Sequence, residues 1–190
     1  MTLTTMALGP MSLPKSVAAA VAGSALIAIA AQVSVPFFPV PMTLQTLTVL
    51  LVGLAFGPRL AGATVALYLA EGAMGLPVFA GFKNGVAFAG PTAGFLVGFL
   101  AMAVIAGFAA GRGFLAMLGA AVVGSAVLYA LGLAWPLAVA GAFGLEGGWV
   151  GMSGAPLLEA FMLPFLAGDA VKALIAALIV TGGVKALRRG

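Results

Sequence analysis

The chain has 190 residues, of which 64% are hydrophobic and only 6% are charged. A soluble domain usually carries about 25% charged residues, so eight Lys/Arg and four Asp/Glu residues are too few to cover a soluble globule of this size. This composition predicts an integral membrane protein. Because Cys and His are both absent, the sequence also excludes disulfides, thiol or imidazole catalysis and the usual zinc sites.

Apolar stretches bounded by charges or Pro/Gly clusters predict an all-α bundle of six helices, over about 16–35, 42–56, 60–72, 91–110, 114–138 and 168–187. The second and third helices are shorter than the roughly 20 residues that a membrane span needs. A glycine-rich loop over 141–154 and a short apolar segment over 155–163 precede the last helix.

The last helix is expected to begin after a break between Pro164 and Gly168. Asp169 would then be its N-cap or a first-turn residue. A carboxylate in that position accepts from free backbone N–H groups and interacts well with the helix dipole.

The charges segregate along the predicted helices. With the N-terminus in the cytoplasm, six of the eight basic residues fall on the cytoplasmic side: Lys15, Arg59, Arg112, Lys185, Arg188 and Arg189. The other side receives all four acids together with two lysines: Glu71, Glu146, Glu159, Asp169, Lys83 and Lys172. This distribution follows the positive-inside rule. It predicts six spans with both termini cytoplasmic. The whole chain, 1–190, is then one membrane domain, and about the first 15 residues form a cytoplasmic segment.

The same topology explains the sequence pI of about 10.0 without a nucleic-acid partner. The stretch that begins at Lys15 and continues through apolar residues 17–31 also matches a secretory signal peptide. A membrane span is the favoured interpretation, because the rest of the chain is itself predicted to span the membrane.

Polar side chains cluster near the predicted outer ends of the helices: Gln32, Ser34, Thr43, Gln45, Thr46, Tyr68, Glu71, Lys83, Asn84, Thr92, Asp169 and Lys172. Polar groups that converge in an apolar bundle are typical of a small-molecule pocket. Interfacial solvation and helix capping are the alternative. That alternative is favoured for Ser34 and Thr92, and Gln32 fits either interpretation.

Asp169 and Lys172 are three residues apart, so they fit an i,i+3 ion pair that stabilises the helix. Ionisable groups within a membrane are nevertheless usually functional, and the pair is compatible with ligand binding as well. Lys83 and Asn84 lie in "AGFKNGV", whose glycines would permit a lid over a site. A solvated loop lysine is an equally good interpretation for Lys83, so Asn84 is the better candidate contact.

Motifs for catalysis are missing. The sequence contains no "GK" dipeptide and therefore no Walker A loop, and "GRGFLA" at 111–116 resembles a dinucleotide motif only by chance, because no strand precedes it. The chain is therefore not expected to be an enzyme. The first helix has a small-residue face that includes Ala18 and Ala22, which suits internal packing or the docking of a partner helix.

Four blocks together, "PVPMTLQTLTVLLVGLAFGPRLAG", "LYLAEGAMGLPVFAG", "GPTAGFLVGF" and "PFLAGDAVKALIAAL", resemble the BioY family. Members of that family are the biotin-specific, substrate-binding components of energy-coupling factor (ECF) transporters. The resemblance implies a six-helix protein of the bacterial cytoplasmic membrane whose pocket for biotin opens to the outside. It further implies a transmembrane coupling protein and two ATP-binding-cassette ATPases as partners, with docking through Ala18 and Ala22, and no cofactor of its own.

The resemblance also implies the site residues Thr43, Gln45, Tyr68, Glu71, Asn84, Asp169 and Lys172. Asp169 would accept from the ureido N–H groups of biotin and Asn84 or Gln45 would donate to its carbonyl. Phe79 and Tyr68 would form apolar walls, and Lys172 or Lys83 would pair with the carboxylate. Which end of biotin faces Asp169 stays open. Phe95 replaces a tyrosine of the family's usual "GPTGGYL", so any hydroxyl contact from that position is lost.

Two alternatives remain at this point. A component for another vitamin, riboflavin or thiamine, would share the architecture. The other is a self-contained facilitator or secondary transporter, which could be a homo-oligomer and would transport its substrate without ATPases.

Overall fold

The computed structural model describes residues 1–189, with side chains through residue 188. It is a mostly helical bundle with nine α-helices in these residues: α1 Leu3–Leu8, α2 Leu13–Gln32, α3 Gln45–Phe56, α4 Pro58–Ala73, α5 Ala93–Gly107, α6 Phe114–Ala134, α7 Ala140–Ala142, α8 Gly154–Phe161 and α9 Leu163–Arg189. The side chain of Arg189, one of the basic residues predicted to be cytoplasmic, lies outside the described residues. So does Gly190, the last residue of the predicted domain.

Three helical stretches are long and apolar enough to cross a membrane: Leu13–Gln32, Phe114–Ala142 and Leu163–Arg188. The second of these joins α6 to α7 through a wider, π-helical turn at Trp135–Val139. The helices α3 and α5 are apolar but shorter. Length and composition therefore identify a membrane protein, as the sequence predicts.

A small β-ribbon modifies the all-α prediction where the prolines interrupt the chain. The strand β1, Ser34–Val35, pairs antiparallel with β2, Met42–Thr43. Because these residues are extended, α2 ends at Gln32 and α3 begins at Gln45, inside the predicted bounds of 16–35 and 42–56. The ribbon closes the proline segment into a loop and fixes Thr43 beside the first turn of α3.

The predicted helix break between Pro164 and Gly168 is wrong. The helical conformation is interrupted earlier, at Met162 (φ −135°), and α9 then runs without interruption from Leu163. Pro164 is tolerated because it lies in the first helical turn, where its missing N–H would have no intrahelical acceptor. Asp169 is therefore the seventh residue of α9 and does not cap it.

An N-terminal helix, absent from the sequence prediction, packs at the end of the bundle away from Asp169. The side chain of Thr2 caps α1, and the hydroxyl of Thr4 donates to the carbonyl of Ala55 at 3.0 Å. Leu3 packs beside Gly183 near the end of α9. The short α1 thus covers the junction between α3 and α9.

Small residues let the central helix α5 pack closely against its neighbours. A Cβ added to Gly53 of α3 would lie 2.7 Å from the carbonyl oxygen of Ala103 and 2.8 Å from Cβ of Ala106. Such close backbone approach is typical of helices packed in lipid, where apolar burial gives no drive for association.

We expect Gly53→Ala to destabilise the bundle, because the new methyl group would meet backbone that cannot move aside. Overpacking of this kind costs roughly 1–3 kcal/mol, which thermal unfolding in detergent would register as a lower midpoint. Gly119→Ala in α6 is the matched control, since a Cβ at Gly119 meets no described atom within 4 Å. Equal midpoints for the two variants would contradict this packing.

Candidate ligand-binding site

A cavity lies at one end of the bundle, between the β-ribbon, the first two turns of α3 and α5, the first three turns of α9 and the last third of α6. The loop residues Phe79, Ala80 and Lys83 also line it. The space open to the centre of a water molecule is about 70 Å³, several times the 10–15 Å³ or so that one water needs. The cavity is therefore large enough to receive part of a small organic molecule.

The carboxylate of Asp169 is the most densely bonded polar group in the wall. Its Oδ1 accepts from Thr46 Oγ1 at 2.7 Å and from Lys172 Nζ at 2.9 Å, and its Oδ2 accepts from Tyr129 Oη at 2.6 Å. Asp169 is only 7% exposed. Three donors compensate its desolvation, because hydrogen bonds to a charged acceptor are stronger than those between neutral groups.

Lys172 neutralises this carboxylate and joins α9 to the β-ribbon. The two residues form the i,i+3 ion pair that the spacing suggests, with side chains 11% and 9% exposed, and Lys172 Nζ also donates to the carbonyl of Thr43 at 2.8 Å. It is the one ion pair among the side chains of residues 1–188. The pair carries no net charge, and both residues line the cavity.

A second polar chain runs from the ribbon through α3 to α4. Thr43 Oγ1 donates to Gln45 Oε1 at 3.1 Å, and Gln45 Nε2 donates to Tyr68 Oη at 2.8 Å. The Tyr68 hydroxyl then donates to the carbonyl of Val78 at 3.2 Å. A primary amide has two N–H donors, so one hydrogen on Gln45 Nε2 is uncommitted within the described chain and available to a ligand.

Aromatic rings form much of the remaining wall: Phe79, Phe95, Phe99, Tyr129 and Phe165. Phe79 packs edge to face on Tyr68, and Phe95 packs edge to face on Tyr129. Two glycines lie behind these rings. A Cβ on Gly72 would collide with the ring of Phe79, and a Cβ on Gly132 would approach the ring of Phe95 to 2.5 Å.

Six of the nine residues predicted to bind the ligand line this cavity: Thr43, Gln45, Phe79, Lys83, Asp169 and Lys172. The other three lie elsewhere. Tyr68 is fully buried behind Phe79, and Glu71 accepts a hydrogen bond from Ser24 of α2. Asn84 caps the 3₁₀ turn Gly85–Ala89 and donates to the carbonyl of Gly75 at 3.5 Å. Direct ligand contact stays a prediction for all nine.

Sequence reasoning missed Tyr129, whose hydroxyl belongs to the Asp169 cluster. The available signal was a phenol in an otherwise apolar helix, where a buried hydroxyl needs a partner. Thr46 belongs to the polar cluster visible in the sequence, but its bond to Asp169 joins residues 123 positions apart. Thr92, for which the sequence favours interfacial solvation or helix capping, also lines the cavity.

Comparison with known proteins identifies relatives over most of the chain. The sequence model of the BioY family matches residues 3–189. A probable biotin transporter BioY of Pyrococcus horikoshii is 38% identical over 156 residues, which cover 82% of this chain and 87% of that one. The biotin transporter BioY of Rhizobium etli is 34% identical over 159 residues, covering 77% and 79% of the two chains.

A solved structure shares the fold. It is the crystal structure at 2.1 Å of the S-component for biotin from an ECF-type ABC transporter, which superposes with a TM-score of 0.71 at 23% identity. The likeness covers 95% of this chain and 96% of the other.

We expect Tyr129→Phe to destabilise the protein, because Oδ2 of Asp169 loses its donor from the described chain. A hydrogen bond to a charged group contributes about 1.5–3 kcal/mol, so the midpoint of thermal unfolding should fall. In an Asp169→Asn background the same change should cost less, since contacting residues are not additive. Full additivity would contradict a direct interaction.

Proposed function

Because this chain belongs to the BioY family, we propose that it binds biotin and serves biotin uptake across the cytoplasmic membrane. Of the two relatives named above, one is a biotin transporter and the other a probable biotin transporter, and the family match spans nearly the whole chain. The observation that carries the proposal is the buried Asp169–Lys172 pair in the wall of a largely apolar cavity that includes several aromatic rings. Such a cavity suits a ligand with a compact polar head and an apolar body.

The ureido head of biotin binds at Asp169 in this proposal. The head is neutral and offers two N–H donors and one carbonyl acceptor, and the Asp169–Lys172 pair is neutral as a unit. Oδ2 accepts from one described donor, Tyr129, whereas Oδ1 already accepts from two. A ureido N–H would therefore bind Oδ2 most readily. The uncommitted hydrogen on Gln45 Nε2 is available to the ureido carbonyl.

The carboxylate of biotin binds near Lys83 in the same orientation. Lys83 lies in the wall of the cavity and is exposed, which supports a position for its ammonium group at the mouth. It has no acidic partner within residues 1–188. A charged carboxylate loses less hydration at the mouth than beside the buried pair, where Lys172 is already neutralised. The fused rings and valeryl chain then lie between the aromatic walls.

Six helices span the membrane in the proposed topology: α2, α3, α4, α5, α6 and α9. The basic residues Lys15, Arg59, Arg112 and Lys185 lie at helix ends or in a turn away from Asp169. The positive-inside rule assigns that end to the cytoplasm. Both termini are then cytoplasmic, and the cavity opens to the outside.

Energy for uptake comes from other chains in this proposal: a transmembrane coupling protein and two ATP-binding-cassette ATPases. Docking uses α2, on which Ala18 and Ala22 are exposed one turn apart. Small residues at i,i+4 let a second helix approach closely in lipid. The solved protein of similar fold is described as the S-component of such a transporter.

Asp169→Asn tests the proposed function most directly. The amide cannot replace a carboxylate that accepts from the ligand and pairs with Lys172, so biotin affinity measured by calorimetry in detergent should fall by roughly a hundredfold or more. Glu159→Gln removes an exposed acid from α8 and serves as the control. Unchanged affinity in a folded Asp169→Asn protein would rule out this site.

Lys83→Met tests the orientation of the ligand. Loss of a partly exposed charge pair should weaken biotin binding by about threefold to tenfold. It should leave biotinamide, which has a neutral carboxamide in place of the carboxylate, nearly unaffected. Lys185→Met removes an exposed lysine near the other end of α9 and is the control. Equal losses for biotin and biotinamide would place the carboxylate elsewhere.

A further inference from the structure

The cavity wall includes a tight turn whose backbone conformation the local sequence does not favour. Phe79 and Lys83 pair across three residues, with Phe79 N donating to the carbonyl of Lys83 at 2.9 Å. Gly81 (φ +70°) and Phe82 (φ +56°) are both in the left-handed region. Glycine adopts that region freely, but a bulky residue such as phenylalanine does so only when its surroundings hold it there.

Gln32, the last residue of α2, supplies that restraint from outside the turn. Its Nε2 donates to the carbonyl of Phe79 at 3.1 Å, and its Oε1 accepts from the backbone N–H of Phe82 at 3.2 Å. Nε2 also donates to Ala28 O of its own helix at 3.3 Å, which steadies the amide. One side chain thus bonds the first residue of the turn and the residue of the turn whose left-handed conformation is least favourable.

We propose that Gln32 is a positioning residue for ligand binding, which holds the Phe79–Lys83 turn so that Lys83 meets the carboxylate of the ligand. This inference rests on the proposed function, because it acts through the Lys83 contact. Gln32 itself does not line the cavity among the residues described.

The chemistry of the amide fits this task better than other side chains would. The turn presents one acceptor, the Phe79 carbonyl, and one donor, the Phe82 N–H, and a primary amide bonds both at once. Glutamate would accept from Phe82 but, when ionised, could not donate to Phe79. Alanine would do neither and would leave the turn to relax towards ordinary backbone angles.

The inference is tested with the full chain in detergent, using calorimetry with biotin and with biotinamide. Gln32→Ala should weaken biotin binding by about threefold to tenfold, no more than Lys83→Met does, because its effect acts through Lys83, and biotinamide binding by clearly less. Gln32→Glu should be intermediate. Ser34→Ala is the control, since Ser34 is exposed and its hydroxyl makes no hydrogen bond to the described residues.

Two results would overturn the inference. One is an equal loss of affinity for both ligands, which indicates general loosening of the site. The other is full additivity of Gln32→Ala with Lys83→Met for biotin, because a residue that acts through Lys83 has little left to lose once Lys83 is gone.

Hydrogen exchange separates this inference from the proposed function. Exchange at the Phe82 amide should be at least about fivefold faster in Gln32→Ala than in Ser34→Ala, because Gln32 is its described acceptor. Unchanged exchange would overturn the restraint whether or not biotin binds. Failure of the unmodified protein to bind biotin, with faster exchange in Gln32→Ala, would instead contradict the proposed function while supporting the restraint.

Discussion

A carboxylate buried among helices has to be stabilised where it lies, and at Asp169 this requirement draws three parts of the bundle together. Thr46 reaches it from α3, Tyr129 from α6, and Lys172 from the next turn of α9. Lys172 in turn bonds the β-ribbon through the carbonyl of Thr43. A buried charge without its partners is strongly destabilising. The helices that supply these donors must therefore stay in place around Asp169, and in doing so they fix the wall of the cavity. The site is thus part of what holds this end of the bundle together.

Hydropathy and charge were enough to predict the class of protein and the approximate position of each long helix. The start of α9 was the exception. A proline followed by a glycine suggested a break, but Pro164 falls in the first turn, where helices accept proline. The local sequence pattern does not show that the helix is already interrupted at Met162, between α8 and α9. The carboxylate predicted to cap this helix instead accepts hydrogen bonds from side chains, two on other helices and one on α9 itself.

The candidate site was predicted in part for a similar reason. Thr43, Gln45, Asp169 and Lys172 stand out because polar residues are rare in this chain, and all four line the cavity. Rarity alone did not separate a lining residue from a structural one. Glu71 is just as conspicuous in the sequence, yet it bonds Ser24 between α2 and α4. Tyr129 and Thr46 contribute through contacts between distant segments, which depend on how the helices pack and have no local signature.

The glycines behind the aromatic walls bear on how a protein of this kind could change its ligand over evolutionary time. Gly72 and Gly132 leave room into which the rings of Phe79 and Phe95 recede. A methyl group at either position would push its ring towards the cavity and reduce the space for the body of a ligand, while Asp169 and its donors stayed in place. The recognition of a polar head and the size of the accepted body are therefore set by separate residues. New selectivity could arise from substitutions that never touch the bound molecule.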